Sequence, residues 1–531
     1  MRSDLENRPN WRASSALVFL ALGSVAGSGL CSEPLPTLYQ RHCAQCHRYD
    51  RMDLARPALR HLSPTDQTTP DAHATAQHQR LHSLSPDNWR SLLDFSRAPL
   101  VPAPQWGSEQ IRSSRSLLRE PGSSIESPRY TADPLNLNLV VEAGGDHVTI
   151  LDSDRLEPVG RIRLRSALTG RPQFTPDGHY AFLTTFDGWV SKLDIRNLKW
   201  VAEVRVGLHT RNATISDNGK YVAAANYQPQ TLAILDADLN LLKVLPVTDK
   251  EGKRASRVLS IHTAAPRQSF VAVLKDVQEI WEVSYNPLAP EIPMGVIHDF
   301  QYREGAFAPG FLNPSRTVLG QDMNDFAFSA DHNELIATVP GTARQHVINL
   351  DVRRKIEEWA SAGETRMDSS YYWKQRQQYV MAAPSETDSY LNFIDMQQGT
   401  SLARLRLPGP VQLIRSHEGS RHLWVVSATQ QPKTSTLTII EKNTLKAVAE
   451  FRPAPGKTLS HMGFSRDGRY MLASVSGAGG SVVVYNTQSL KEVKRIPMDR
   501  PIGIYNIGNS ISSTQGDRPF ATLPWCNHCT P

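Results

Sequence analysis

Cys43-Ala44-Gln45-Cys46-His47 sets two thiols three positions apart, with an imidazole directly after the second. This is the attachment spacing of c-type haem: the thiols add to the two vinyl groups and the histidine falls beneath the ring as proximal iron ligand. Leu38 to His42, just before, reads as the helix that delivers the motif. A redox dithiol wants a βαβ context, which is missing, and a structural zinc site wants a second Cys/His pair close by. Covalent haem c on Cys43 and Cys46, with His47 on the iron, is the expectation. The sixth ligand stays open. Met52 is too near His47 to reach the opposite face, and His61, His73, His78 and His82 lie in a polar segment where a histidine is more often a solvated loop residue. Cys526-Asn527-His528-Cys529 repeats the thiol spacing without the following histidine, which favours a local disulfide in an oxidising compartment over a metal or haem contact.

The elements that carry these groups divide the 531 residues into unequal parts. Hydrophobic residues make up 40% and charged residues 21%, which excludes wholesale disorder. The net charge of +6 is spread along the chain with no Lys/Arg run, so no nucleic-acid partner is expected. Five cysteines are too few for a disulfide framework. Ala16 to Ala26 is apolar or small throughout, too short for the roughly 20 residues of a membrane span. It suits the core of a signal peptide, and Gly27, Ser28 and Gly29 supply small residues for cleavage. Residues 1–31 are therefore expected to direct export to the periplasm. Lipid attachment at Cys31 is disfavoured by the bulky Leu30 before it, and no transmembrane span is expected elsewhere. Residues 32–98 read as a small α-helical cytochrome c-like module closed by a helix over Ser85 to Phe95, residues 99–130 as a linker without periodicity, and 516–531 as a tail.

Residues 131–515 are a repeat. Eight short apolar strands end on polar residues, Asp152, Asp194, Asp236, Ser284, Asp351, Asp395, Glu441 and Asn486, spaced 42, 42, 48, 67, 44, 46 and 45 apart. A second element precedes several of them: Phe174-Thr175-Pro176-Asp177-Gly178, Ile215-Ser216-Asp217-Asn218-Gly219 and Phe464-Ser465-Arg466-Asp467-Gly468, with a degenerate copy at Phe328 to Asn333. Asp-Gly and Asn-Gly supply the positive-φ positions of tight hairpins. Four short strands per period of 40–50 residues mean propeller blades, and eight markers mean an all-β eight-bladed ring, with the long interval an insertion. Ligand chemistry belongs where the inner strands begin, just before each turn element. His461, three residues before Phe464, and His209 are the histidines placed to face the channel there, as iron ligand, base or proton donor. The plainer reading of each is a satisfied structural histidine.

A c-type haem segment joined to an eight-bladed propeller resembles the cytochrome cd1 family, which includes the cd1 nitrite reductases and the NirF- and NirN-type proteins of haem d1 biosynthesis. The likeness rests on Gly207-Leu208-His209-Thr210-Arg211, Ala225-Asn226-Tyr227-Gln228-Pro229-Gln230 and Pro501 to Asn509. It implies that Arg211 and Tyr227 line a pocket for haem d1 or a d1 precursor, with Arg171 and Tyr505 as further contacts; a guanidinium suits the carboxylates of such a ring. It also implies a late step of haem d1 maturation, in which a tetrapyrrole is bound or oxidised while electrons leave through haem c to a periplasmic redox partner or a cd1 nitrite reductase. A carrier without turnover is the alternative, and a divergent nitrite reductase a more distant one. The sequence departs from the reductases at three places. Leu168 to Pro172 holds no proximal histidine, and Asn324 and Met367 stand where two proton-donating histidines are expected.

Overall fold

The computed structural model describes residues 106–119 and 128–512, apart from 300–303, 324, 361–362 and 431–432. The signal segment, the cytochrome c-like module with Cys43, Cys46 and His47, and the tail with Cys526 and Cys529 lie outside the described residues.

Each of the eight marker segments is the third strand, counted from the inside, of an antiparallel sheet. Its polar end explains the pattern, because that side chain turns back to cap the corner into the fourth strand. Asp152 Oδ1 accepts the N–H groups of Asp154 and Arg155, Asp236 those of Asp238 and Asn240, and Asn486 those of Gln488 and Ser489. In the fifth blade the strand ends two residues earlier than the marker, on Asn349, which caps Asp351 and Val352. The inner corners use the second element: a Ser or Thr hydroxyl bonds the Asp or Asn two residues on, at Thr175, Ser216, Ser329 and Ser465. Gly468 closes one of these turns at φ +69°, and a Cβ there would stand 2.2 Å from the His417 ring, so this corner needs glycine on two counts.

The eight sheets form one ring. Blade 1 takes its inner strand, Pro501–Asn506, from the far end of the chain and pairs it with Leu137–Glu142, followed outward by His147–Asp152 and Glu157–Arg163. Blades 2 to 8 follow in sequence order. The insertion that lengthens the 67-residue interval lies within blade 4, where a hairpin of Ile292–Asp299 and Glu304–Ala308 stands between the third and fourth strands. There is no single core. Buried apolar residues fall into eight clusters, each between successive blades, because alternate residues of a strand face opposite neighbours. Leu139 and Val141 pack toward blade 2, whereas Val140 packs toward blade 8.

The expected linker is more ordered than its composition suggested. Helix α1 (Ser108–Ser114) buries Ile111 between blades 2 and 3, and Ser116–Leu117 adds a fifth strand to the outside of blade 2. A short helix α2 (Ile507–Ser512) continues directly from the closing strand, and its Asn509 donates to the carbonyls of Phe464 and Ser465. It thus sits where the inner strands run into their turns. Among the described residues no helix is long and apolar enough to cross a membrane.

The seam of the ring carries an ion pair between a buried carboxylate, Glu142, and the half-exposed Arg161. Glu142, 2% exposed, accepts from Thr149, from both arms of Arg161 and from the N–H of Asp499 in the segment that leads into the closing strand. Glu142→Ala removes the acceptor for all four and is expected to cost about 2–4 kcal/mol, read as a lower denaturant midpoint; an unchanged midpoint would mean that the seam does not depend on it.

Candidate functional site

The inner strands leave a central channel with two connected spaces. The larger, about 550 Å³, is walled by the inner strands of blades 2 to 6. The smaller, about 60 Å³, lies against blades 7, 8 and 1. Arg171 and Ser510 line both. A simple register rule places the chemistry: residues three before the apolar residue that opens each inner turn line the channel. Arg171 precedes Phe174 by three, Asn212 precedes Ile215, Asp325 precedes Phe328 and His461 precedes Phe464.

In the larger space Arg171 and Arg211 stand on one flank. Arg171 Nη2 reaches Ser510 Oγ at 3.3 Å, and Arg211 Nε donates to the Leu259 carbonyl at 3.2 Å. The strand Phe326–Phe328 and His262 form an aromatic wall, the imidazole edge-on to both phenyl rings at 5.6 and 6.4 Å. Opposite the arginines lie Asp325 and Asp368, which the sequence reading did not select. Asp325 Oδ2 accepts the Met367 N–H at 2.5 Å and that of Asp368 at 3.4 Å, while its Oδ1 is buried without a hydrogen-bond partner. Burial first, and the Asp368 charge second, push the Asp325 carboxyl far above the usual carboxylate range. Met367, by contrast, is fully buried between blades 5 and 6, and Asn324 lies outside the described residues. The expected loss of a proton donor at these positions is therefore corrected: a carboxyl pair stands one residue along from each. No histidine occupies Leu168 to Pro172.

The remaining selected residues separate into two groups. His461 and Tyr505 line the smaller space beside Arg171, their rings 4.9 Å apart. His461 Nδ1 accepts the Ile504 N–H at 3.1 Å, and its Nε2 lies 3.3 Å from Arg415 Nη2. Burial, then the Arg415 and Arg171 charges, hold this imidazole well below its usual range. His209 and Tyr227 pair with each other, edge to face at 5.2 Å, beside Arg257 and Lys275 and away from the linings of both spaces. Burial and the Arg211 and Arg257 charges push His209 down to about 4. Among the described residues no group of three or more His, Cys, Asp or Glu side chains could hold a metal ion.

Ring, channel and opposed arginines and carboxyls define an eight-bladed propeller of the d1 type. The family described as the Cytochrome D1 heme domain matches residues 132–510, and the chain belongs to that family. The dihydro-heme d1 dehydrogenase of Pseudomonas aeruginosa is 38% identical over 508 residues, covering 94% of this chain and 98% of that protein. Protein NirF of Stutzerimonas stutzeri is 23% identical over 376 residues, covering 70% of this chain and 91% of its own. The solved structure of dihydro-heme d1 dehydrogenase NirN in complex with DHE superposes with a TM-score of 0.74 at 37% identity, covering 90% of this chain and 99% of that one.

His461 and His209 are both held neutral, so their ring resonances should not move between about pH 5.5 and 8, where a solvated histidine titrates near 6.5. Imidazole NMR on the full chain tests this, and a titration of either ring in that interval would show that the charges around it are not as described.

Proposed function

We propose that this chain is an exported c-type cytochrome that oxidises a dihydro-tetrapyrrole of the haem d1 type in its propeller channel. The observation that carries the reading is the channel itself, with two guanidiniums on one flank and a proton-holding carboxyl, Asp325, on the other. The dimensions support it: about 550 Å³ falls in the range of small-molecule and cofactor sites. Arg171 and Arg211 are suited to ring carboxylates, and Phe326, Phe328 and His262 to the ring face. The relatives support it too. The dehydrogenase similarity extends over 508 residues, more than the matched propeller, and so takes in part of the N-terminal segment with Cys43, Cys46 and His47.

Turning one carbon–carbon single bond of the substrate into a double bond releases two electrons and two protons. Cys43 and Cys46 would hold haem c and His47 would be its iron ligand; the group would supply a one-electron acceptor, with a soluble redox partner or a cd1 nitrite reductase in the periplasm as the onward acceptor. The chain's own groups position the substrate and take one of the two protons; the other leaves to solvent along the channel. Arg171 and Arg211 orient it through its carboxylates, leaving the reacting bond toward the opposite wall. Asp325, as the carboxylate, takes a proton through Oδ1, the oxygen without a partner; Oδ2 is fixed by its two backbone bonds, so the carboxyl does not swing. The aromatic wall and α2 keep bulk water from the reacting face. We assign proton transfer to Asp325 in place of His461 and His209, whose depressed basicity makes them weak acceptors. His209 opens the strand that carries Arg211, Tyr227 lies on the strand paired with it, and both act, on this reading, through the position of Arg211.

Three measurements test this. Acid–acetone extraction should leave haem on the wild-type chain and remove it from Cys43→Ala/Cys46→Ala. Arg211→Ala should weaken binding of the free-acid tetrapyrrole by about 1.5–3 kcal/mol and of its ester by less. Because Asp325 must ionise to act, turnover should rise with pH toward a midpoint near 8, and Asp325→Asn should lower it by about 10²–10⁴-fold and abolish that rise. Binding without any turnover in the wild type would make the protein a carrier, and a flat pH profile would remove Asp325 from the reaction.

A further inference from the structure

Asp325 and Asp368 meet at the wall of the larger space from two different elements. Asp325 stands just before Phe326–Phe328 of blade 5, and Asp368 lies in the segment that leads into Tyr371–Gln375 of blade 6. That segment binds Asp325 Oδ2 through the Met367 and Asp368 N–H groups, so backbone bonds tie one carboxyl to the turn that carries the other. Their remaining surroundings differ. Among the described residues Asp325 makes no ion pair, and its Oδ1 has no hydrogen-bond partner. Asp368 Oδ1 accepts from Ser369 Oγ at 2.9 Å and lies 3.8 Å from Arg366 Nε. Arg366 closes the triangle by donating through Nη2 to the same Ser369 Oγ. Its backbone is pinned as well, because the Arg366 N–H donates at 2.9 Å to the carbonyl of Pro384, the last residue of the second strand of blade 6. On its other side the guanidinium lies 3.6 Å from the half-exposed Glu386.

Two carboxyls joined in this way do not both ionise at neutral pH; as a pair they hold one proton. Which member holds it is decided by what surrounds each. A guanidinium and a hydroxyl on Asp368 favour its charged form, whereas Asp325 has backbone donors alone, and those on one oxygen. We propose that Arg366 is a positioning residue of the site: by holding Asp368 as the charged member of the pair, it keeps the pair's single proton on Asp325. Burial and the Asp368 charge, which raise the Asp325 carboxyl to about 8 against the pull of its two backbone bonds, agree with this assignment. The other titratable or charged groups on the walls of the larger space are Arg171, Arg211, Asp217, His262, His332 and Tyr372, from blades 2 to 6. None of them ranks beside Asp368 among the charges that act on Asp325; Glu386, behind Arg366, comes next. A carboxylate that binds its proton this firmly is the stronger base once it ionises. That consequence rests on the tetrapyrrole reading; the placing of the proton does not.

The readout is the carbonyl stretch of a protonated carboxyl in the infrared spectrum of the full-length protein, assigned to Asp325 by its loss in Asp325→Asn. In the wild type one such band should persist at neutral pH and disappear with a midpoint near 8. Asp368→Asn removes the like charge, so Asp325 should bind its proton at least about tenfold more weakly and the midpoint should fall by about one pH unit or more. Arg366→Gln leaves Asp368 able to take the proton, so the band should divide in two, the second component being absent from Arg366→Gln/Asp368→Asn. Arg366→Lys, which keeps the charge, should retain a single band. Glu386→Gln should move the midpoint less than Asp368→Asn does. A wild type without the Asp325 band at neutral pH, an unmoved midpoint in a folded Asp368→Asn variant, an undivided band in a folded Arg366→Gln variant, or a larger shift in Glu386→Gln overturns the proposal. Turnover separates it from the functional reading. A pH rise in turnover that moves down together with the band in Asp368→Asn supports both. A wild type that does not turn over, while its bands behave as described, sinks the functional reading and leaves the carboxyl pair standing.

Discussion

Ring closure is the constraint on which everything else rests. With eight apolar clusters, each shared by two blades, no blade has a core of its own. Every wedge depends on its two neighbours, and the last wedge exists only if the chain's far end returns to blade 1. The return is made by five register pairs between Leu137–Glu142 and Pro501–Asn506, and by the buried Glu142, which ties Thr149, Arg161 and the Asp499 backbone together. A closed ring leaves only short, protected sheet edges at the channel and holds its inner strands at fixed spacing, so side chains from different stretches of sequence converge.

That convergence lets one channel hold opposite chemistries close together. Arginines gather at blades 2, 3 and 7, while the carboxyl pair comes from the start of the inner strand of blade 5 and the segment leading into blade 6. Asp325 keeps its proton because its surroundings are dry and a second carboxyl is near; His461 sheds its proton because it is buried and, in addition, two guanidiniums are near. Each shift follows from burial plus the sign of the neighbour. A ligand with carboxylates on its rim and a reacting bond elsewhere finds both environments without any wall moving.

The blades were legible because their corners have strict requirements. A third strand must end on a side chain able to cap the next turn, and an inner corner needs Ser or Thr, then Asp or Asn, then a residue tolerant of positive φ. These recur in the sequence at near-constant spacing, and even the degenerate corner keeps Ser329 and Asp331, with His332 taking φ 60° where glycine stands elsewhere. The site was legible only in part. Arg171, Arg211, His461 and Tyr505 reach the channel, whereas His209 and Tyr227 belong to the flank beside Arg257. Asp325 was passed over because its turn is the degenerate one, although it stands three residues before Phe328 just as His461 stands before Phe464. Arg415 carried no such flag; it enters through the end of a strand whose corner, Ser416 to Ser420, follows another pattern. The order in residues 106–119 was hidden because Ile111 is a single apolar residue in a polar stretch, and only the cleft between blades 2 and 3 gives it a place.

Closing strand and α2 are one uninterrupted piece, and Tyr505, Asn509 and Ser510 all belong to it. Of the described residues this piece leaves the ribosome last, and its Asn506 must find Leu137, 369 residues earlier. Contacts that distant form late and slowly. A growing chain therefore owns blades but no channel: the smaller space lacks the wall that Tyr505 and Asn509 supply, and the larger lacks Ser510 and Ile511. Loading is gated by completion. The ligand meets a site only in molecules that have finished folding, and truncation anywhere before Pro501 abolishes the ring and the site in one stroke.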